Sequence, residues 1–158
     1  MKHKFGVILL ALAASAAAQT PSSAPRAPAP LAPLAPQNQP VIDLNQIVGA
    51  AGLAAQMIDQ NREPEIWDGL SPSVKRIAPK DSFVTEIRRV RIPLGPPRAR
   101  AWLAVAAAFV PQAANNVGGQ FLTVDFATTF APRKQIIERF SFRLDEDKTW
   151  RLAGYLEK

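Results

Sequence analysis

Residues 119–157, "GQFLTVDFATTFAPRKQIIERFSFRLDEDKTWRLAGYLE", decide the fold. They read as three strands joined by the short turns "APRK" and "DEDK". In the first strand Leu122, Val124, Phe126 and Phe130 share a face, opposite Thr123, Asp125 and Thr129. In the second, Ile136, Phe140, Phe142 and Leu144 oppose Arg139, Ser141 and Arg143. In the third, the alternation groups Trp150, Leu152 and Leu156 against Arg151 and Tyr155. Side chains alternate across a strand, so one apolar and one polar face per strand predicts an antiparallel sheet covered on one side. Five of the eight phenylalanines lie here, so this sheet must carry most of the core.

Moving toward the N-terminus, "RARAWLAVAAAFVP" (98–111) suits a fourth strand with Leu103, Val105 and Phe109 on one side. Its alanines also permit helix. "QAANNVGG" (112–119) is a turn. Before it the period changes to that of helices. "IDLNQIVGAAGLAAQMIDQNR" (42–62) places Ile47, Ala51, Leu53, Ala54 and Ile58 at helical spacing, with Asp43 or Asn45 as N-cap. Gly49 and Gly52 suggest close packing there. Glu63-Pro64 and Ser71-Pro72 are helix-start signals, with proline in the first turn. Pro79 opens a third main helix, in which Phe83, Val84, Ile87 and Val90 form one face and Arg88, Arg89 and Arg91 fall largely on the other. Pro93, Gly95, Pro96 and Pro97 end it. Three helices followed by a four-stranded meander make an α+β domain, with N-terminal helices covering the apolar face of the sheet.

The first 40 residues are of another kind. Residues 1–18 have the parts of a secretory signal peptide: Lys2 and Lys4, an apolar run from Phe5 to Ala14, then Ala16-Ala17-Ala18. The run is too short for a stable membrane span, so cleavage near Ala18 and export, to the periplasm, are expected. Residues 19–40 form a Pro/Ala-rich linker with seven of the fifteen prolines, a composition that favours an extended tether. Residues 41–158 are then a single α+β domain.

Composition removes whole classes of chemistry. There is no cysteine, and the single histidine, His3, lies in the leader. Disulfides, thiolate metal sites, cysteine nucleophiles and histidine-based triads are excluded from the processed chain, and no cofactor or metal site is expected. The formal charge is +6, and loss of Lys2 and Lys4 leaves 17 basic against 13 acidic residues. Arg88, Arg89, Arg91, Arg98 and Arg100 cluster around "PLGPP", but only Trp102 lies among them as an aromatic, so nucleic acid is not an expected partner.

"MIDQNREPEIWDGLSPSVKR", "VRIPLGPPRAR", "FATTFA" and "TWRLAGY" resemble the small exported bacterial proteins grouped as domain of unknown function 4019. The shared features are Asp59 followed eight residues on by Trp67-Asp68, the Arg-x-Pro-Leu-Gly stretch from Arg91 to Gly95, and Trp-Arg-x-Ala-Gly-Tyr from Trp150 to Tyr155. The chain departs from the family pattern at Pro79, where a serine cap is common. The resemblance implies an NTF2-like, or cystatin-like, curved sheet wrapped by helices. It brings no activity and no catalytic residues.

Glu138 is the one charge that strand parity puts on the apolar face. A buried carboxylate must find a partner or stay protonated, so Glu138 is either a site residue or the partner of an arginine. Trp67 and Asp68 are candidates for a pocket mouth, against a core anchor and a turn cap. Asp59, near a helix C-terminus, opposes the helix dipole and calls for an arginine. Tyr155 is a further ligand-binding candidate. With Arg139, Arg143 and Asp125 it is placed on the polar sheet face, a candidate partner or homodimer surface. Three functions follow. The first is a non-catalytic periplasmic domain binding a small ligand or an envelope protein. The second is an isomerase- or dehydratase-type enzyme with Glu138 as base. The third is a structural envelope module.

Overall fold

The computed structural model describes residues 42–113, 117–131 and 134–158. The leader and the whole linker lie outside them. Four α-helices come first: α1 Leu44–Asp59, α2 Glu63–Asp68, α3 Pro72–Lys75 and α4 Lys80–Arg91. A 3-10 turn, Ile92–Leu94, leads into β1 Pro97–Val110, β2 Gly119–Phe130, β3 Lys134–Leu144 and β4 Trp150–Glu157. The strands form one antiparallel sheet in the order β1-β2-β3-β4. Helices then a meander is the expected order, with Ser71-Pro72 starting a helix of its own.

Local chemistry sets the helix limits. The Asp43 carboxylate accepts from the amide of Asn45 at 2.9 Å, capping α1 as its sequence implies. At the other end Asn61 adopts a left-handed φ of 57°, and the Arg62 amide reaches back to the Met57 carbonyl at 2.8 Å. Asparagine tolerates that conformation, and the bond satisfies a carbonyl the helix leaves open. Gly95 has φ 71° after the 3-10 turn, a conformation that disfavours any side chain.

The helices lie on the sheet face that carries Leu122, Val124, Phe126, Phe140 and Phe142. Ile47, Ala51, Ala54, Ala55 and Ile58 of α1 join these residues, with Ile66, Leu70, Val74 and Ile87, in one buried cluster. Phe126 and Phe140 meet edge to face at 6.0 Å, and Phe140 lies 5.1 Å from the Tyr155 ring. Side chains of α1 and the middle of the sheet therefore belong to one packed cluster. Two sequence expectations fail on α1. Leu53 is exposed, because Ala54 and Ala55 take the inward positions. Gly49 and Gly52 have no atom within 4 Å of an added Cβ, so no close approach requires them.

Three register shifts re-aim the edge strands, at Arg98 and Leu103 in β1 and at Ala153 in β4. In β1, Trp102 pairs with Phe126 but Ala104 pairs with Asp125, leaving Leu103 as the extra residue. Trp102, Val105, Ala107 and Phe109 thus share the helix-side face, and Leu103 does not belong with Val105 and Phe109 as the simple alternation suggested. In β4, Phe142 pairs with Leu152 and Ser141 with Gly154, leaving Ala153 extra. The parity of the C-terminal half is inverted: Tyr155 and Glu157 turn inward beside Phe140 and Glu138, and Leu156 turns outward beside Arg139.

Candidate functional site

A chain of charged and hydroxyl groups crosses one end of the helix-sheet interface. Glu138, in the middle of β3, is 0% exposed. Its Oε2 accepts from Arg100 Nε of β1 at 2.8 Å and from the Thr128 hydroxyl of β2, and its Oε1 accepts from the Tyr155 hydroxyl of β4 at 2.8 Å. Arg100 continues to Asp59 at the end of α1, donating from Nη1 at 2.9 Å and from Nη2 at 3.2 Å. Asp59 also accepts from Arg91 Nη2 of α4 at 2.6 Å. Arg91 donates to the Gly95 carbonyl at 2.6 Å and lies over the Phe130 ring at 4.3 Å. Six residues from all four strands and two helices are joined, and the charges of Asp59 and Glu138 balance those of Arg91 and Arg100. The arginine that Asp59 required is present twice. Arg91 is buried here, not on a solvated helix face, because its turn of α4 faces the end of α1.

Electrostatics follow from the burial. Burial of Arg100 works against its charge, yet its bonds to Asp59 and Glu138 outweigh that and raise its pKa. The Tyr155 phenol is pushed far up, first by burial and then by the charges of Glu138 and Glu157. A phenol has one hydrogen, and Tyr155 faces two carboxylates, Glu138 at 2.8 Å and Glu157 at 3.0 Å. It can donate to only one. Glu157 has a raised pKa, chiefly from burial, partly offset by its bond to Tyr155 and raised further by Glu138. The one phenol hydrogen is contested by the two acceptors, and a proton taken up by Glu157 removes that competition.

A pH dependence follows with a definite sign. The folded state holds a proton on Glu157 after the unfolded chain has released it, so stability falls as pH rises from the ordinary glutamate range through the folded pKa. Glu157→Gln keeps a donor and removes the titration. Urea midpoints measured from acid to neutral pH should show the variant gaining on the wild type as pH rises. A constant gap between them would refute the proton assignment.

Of the other expected site residues only Tyr155 is brought to Glu138. Trp67 is half-buried, donating from Nε1 to the Ala78 carbonyl at 2.9 Å, with Lys75 and Lys80 over its ring at 5.0 and 5.5 Å. Asp68 pairs with Lys80 at 2.7 Å on the exposed side of α2. Asp125 and Arg139 stay on the outer sheet face and bind each other in a two-point ion pair at 2.6 and 2.7 Å. Tyr155 leaves that face because of the bulge at Ala153. Arg143 is buried, held by the Gly118 carbonyl at 2.9 Å, Asp145 at 2.7 Å and Glu146 at 2.9 Å. Only Asp125 and Arg139 of the expected polar surface face outward as a pair.

Two features were not expected from the sequence. Asp145, in the turn after β3, accepts from the Ser71 hydroxyl, from Arg143 and from Arg151 at 3.0 Å, tying the start of α3 to the sheet. The other is β1. It is an edge strand, and from Ala101 to Val110 it contains neither a charge nor a proline. Trp102, Leu103 and Phe109 are 58%, 51% and 73% exposed. The uncharged decapeptide and, from the meander, its edge position were visible in the sequence, but the exposure of Trp102, Leu103 and Phe109 was not.

Among the described residues no group of three or more acidic side chains is placed to hold a metal, and no helix is long and apolar enough to cross a membrane. A family model, "Protein of unknown function (DUF4019)", matches residues 50–155. No curated protein and no solved structure matches the chain.

Proposed function

The chain belongs to the DUF4019 family of proteins of unknown function, and from that premise we propose that it is a non-catalytic protein-binding domain, exported and held on a tether, whose contact surface is the β1 edge. The carrying observation is the long uncharged edge strand with three large apolar side chains in solvent. Soluble proteins blunt such edges with charge, proline or a covering element. Here the strand remains open among the described residues, which supports a role as a template for a partner strand.

The chemistry of Glu138 supports the absence of catalysis. A general base needs a free lone pair within reach of a substrate proton. Glu138 accepts three bonds, from Arg100, Thr128 and Tyr155, against about four lone-pair sites, and the residue is fully buried, so no substrate proton comes within its reach. The exposed Trp102, Leu103 and Phe109, set along an open strand edge, favour a protein partner over a small ligand. On this reading residues 1–18 direct export to the periplasm, residues 19–40 are the tether, and the helices on the sheet form an NTF2-like arrangement.

The test is photo-crosslinking in the native cell. A photoreactive residue in place of Phe109 should give a protein adduct, while one in place of Leu53, exposed on α1, should not. Absence of any protein adduct at 109, or equal yield at both positions, overturns the reading.

A further inference from the structure

We infer that the partner strand at this edge is β1 of a second copy of the same chain, paired antiparallel about Ala107. This rests on the reading of the β1 edge as the contact surface and names its occupant.

The unpaired backbone defines what can bind. In an antiparallel sheet each edge strand turns alternate N–H and C=O groups outward. Among the described residues, none of β1 makes a backbone bond beyond those to β2. Water can satisfy those groups singly, and another extended chain with free N–H groups satisfies them as a row. The chain's own linker is a poor match. From Pro21 to Pro40 no more than three residues separate successive prolines, and proline cannot donate to a ladder.

The ladder has natural ends. Ala104 to Val110 pairs in unbroken register with β2, the bulge at Leu103 precedes it and Pro111 follows it. Those seven residues span about 24 Å at ordinary strand rise. A twofold axis at Ala107 pairs Ala104 with Val110 of the other copy, Val105 with Phe109, and Ala106 with Ala108. Leu103 then meets Pro111, so the bulge of one copy and the proline of the other close both ends together.

Side chains agree with that register. Val105 and Phe109 are both on the helix-side face, as antiparallel partners must be. Trp102 is the next residue on that face, diagonal to the incoming Phe109 and within aromatic reach. The two most exposed aromatic side chains of each copy are thereby covered by the other. Charge selects the direction: antiparallel pairing sends Arg98 and Arg100 of the two copies to opposite ends, whereas a parallel ladder would set them side by side. The result is a continuous eight-stranded sheet, a closed isologous dimer with no β1 edge left to propagate.

The experiment is sedimentation velocity on the purified chain across the micromolar range, with Ala107→Lys and Ala107→Glu alone and mixed. Ala107 is exposed, so neither change disturbs the core. The wild type should sediment at twice the protomer mass. Each variant alone should be monomeric, because like charges face each other across the axis, and an equal mixture should recover the dimer. Phe109→Ser should weaken dimerisation at least tenfold with an unchanged melting temperature. A monomeric wild type, a dimer that persists in Ala107→Lys, or a dimer lost instead through Asp125→Lys on the outer face overturns the inference. The adduct at position 109 separates the two levels: an adduct of two chains supports self-pairing. One with a different protein overturns self-pairing alone, and no protein adduct overturns both.

Discussion

Arg100→Met should destabilise the fold by about 3–5 kcal/mol, the usual cost of removing one partner from a buried ion pair. Arg100 is the only residue that touches both acids of the network, at 2.8 Å from Glu138 and 2.9 Å from Asp59. Without it Glu138 keeps two hydroxyl donors but no opposite charge, at a position with no solvent. Methionine retains much of the apolar stem, so packing loss is a smaller part of the effect. Urea denaturation reads the loss directly, and the melting temperature should fall by about 10–20 °C. A second change, Glu138→Leu, should recover part of the stability by removing the stranded charge. A loss below about 1 kcal/mol for Arg100→Met would mean that the pair barely exceeds its desolvation cost.

Asp145→Ala should cost about 2–3 kcal/mol, in the range of charge-assisted hydrogen bonds left without an acceptor. One carboxylate there serves Ser71, Arg143 and Arg151, and both Ser71 and Arg143 are buried. Arg143 would retain Gly118 and Glu146, and Arg151 would retain Asp147, which is why the cost stays below that at Arg100. The effect is also local. The Asp145 amide bonds the Thr149 carbonyl and closes the β3–β4 turn, so hydrogen exchange at Asp145 and Lys148 should accelerate more than at Phe140. Uniform acceleration across the domain would contradict this.

Much of this layout was legible from periodicity. The faces of β2 and β3, the Asp43 cap and the proline-led helices follow from local rules that tertiary contacts did not override. Glu138 stood out because a carboxylate on an apolar face must be accounted for. Its partners were hidden for a physical reason. Asp59 lies 32 residues from Arg91 and 41 from Arg100, so the pairing depends on how α1, α4 and β1 assemble. Glu138 was marked by its parity, whereas alternation from Leu103, Val105 and Phe109 put Arg100 with Trp102 on the opposite face, and only the bulge at Leu103 re-aims it. The bulges carried no such mark. A single inserted residue at Leu103 or Ala153 changes no composition, yet it inverts every later position on the strand.

The bulge at Ala153 has a consequence for how the chain selects one structure. Without it, β4 would slide so that Leu156 faced Glu138 and Gly154 faced Phe140, a hydrophobically plausible alignment that the Trp150–Leu152–Leu156 alternation encodes. The sequence thus offers two competing alignments of its last strand. In the slipped one Glu138 would meet leucine in place of the Tyr155 hydroxyl, which now reaches it at 2.8 Å. The polar chain acts less as glue than as a discriminator: it raises the energy of the wrong alignment more than it lowers that of the right one. Tyr155→Phe should accordingly matter more for uniqueness than for stability, with a second set of β4 amide resonances as its signature.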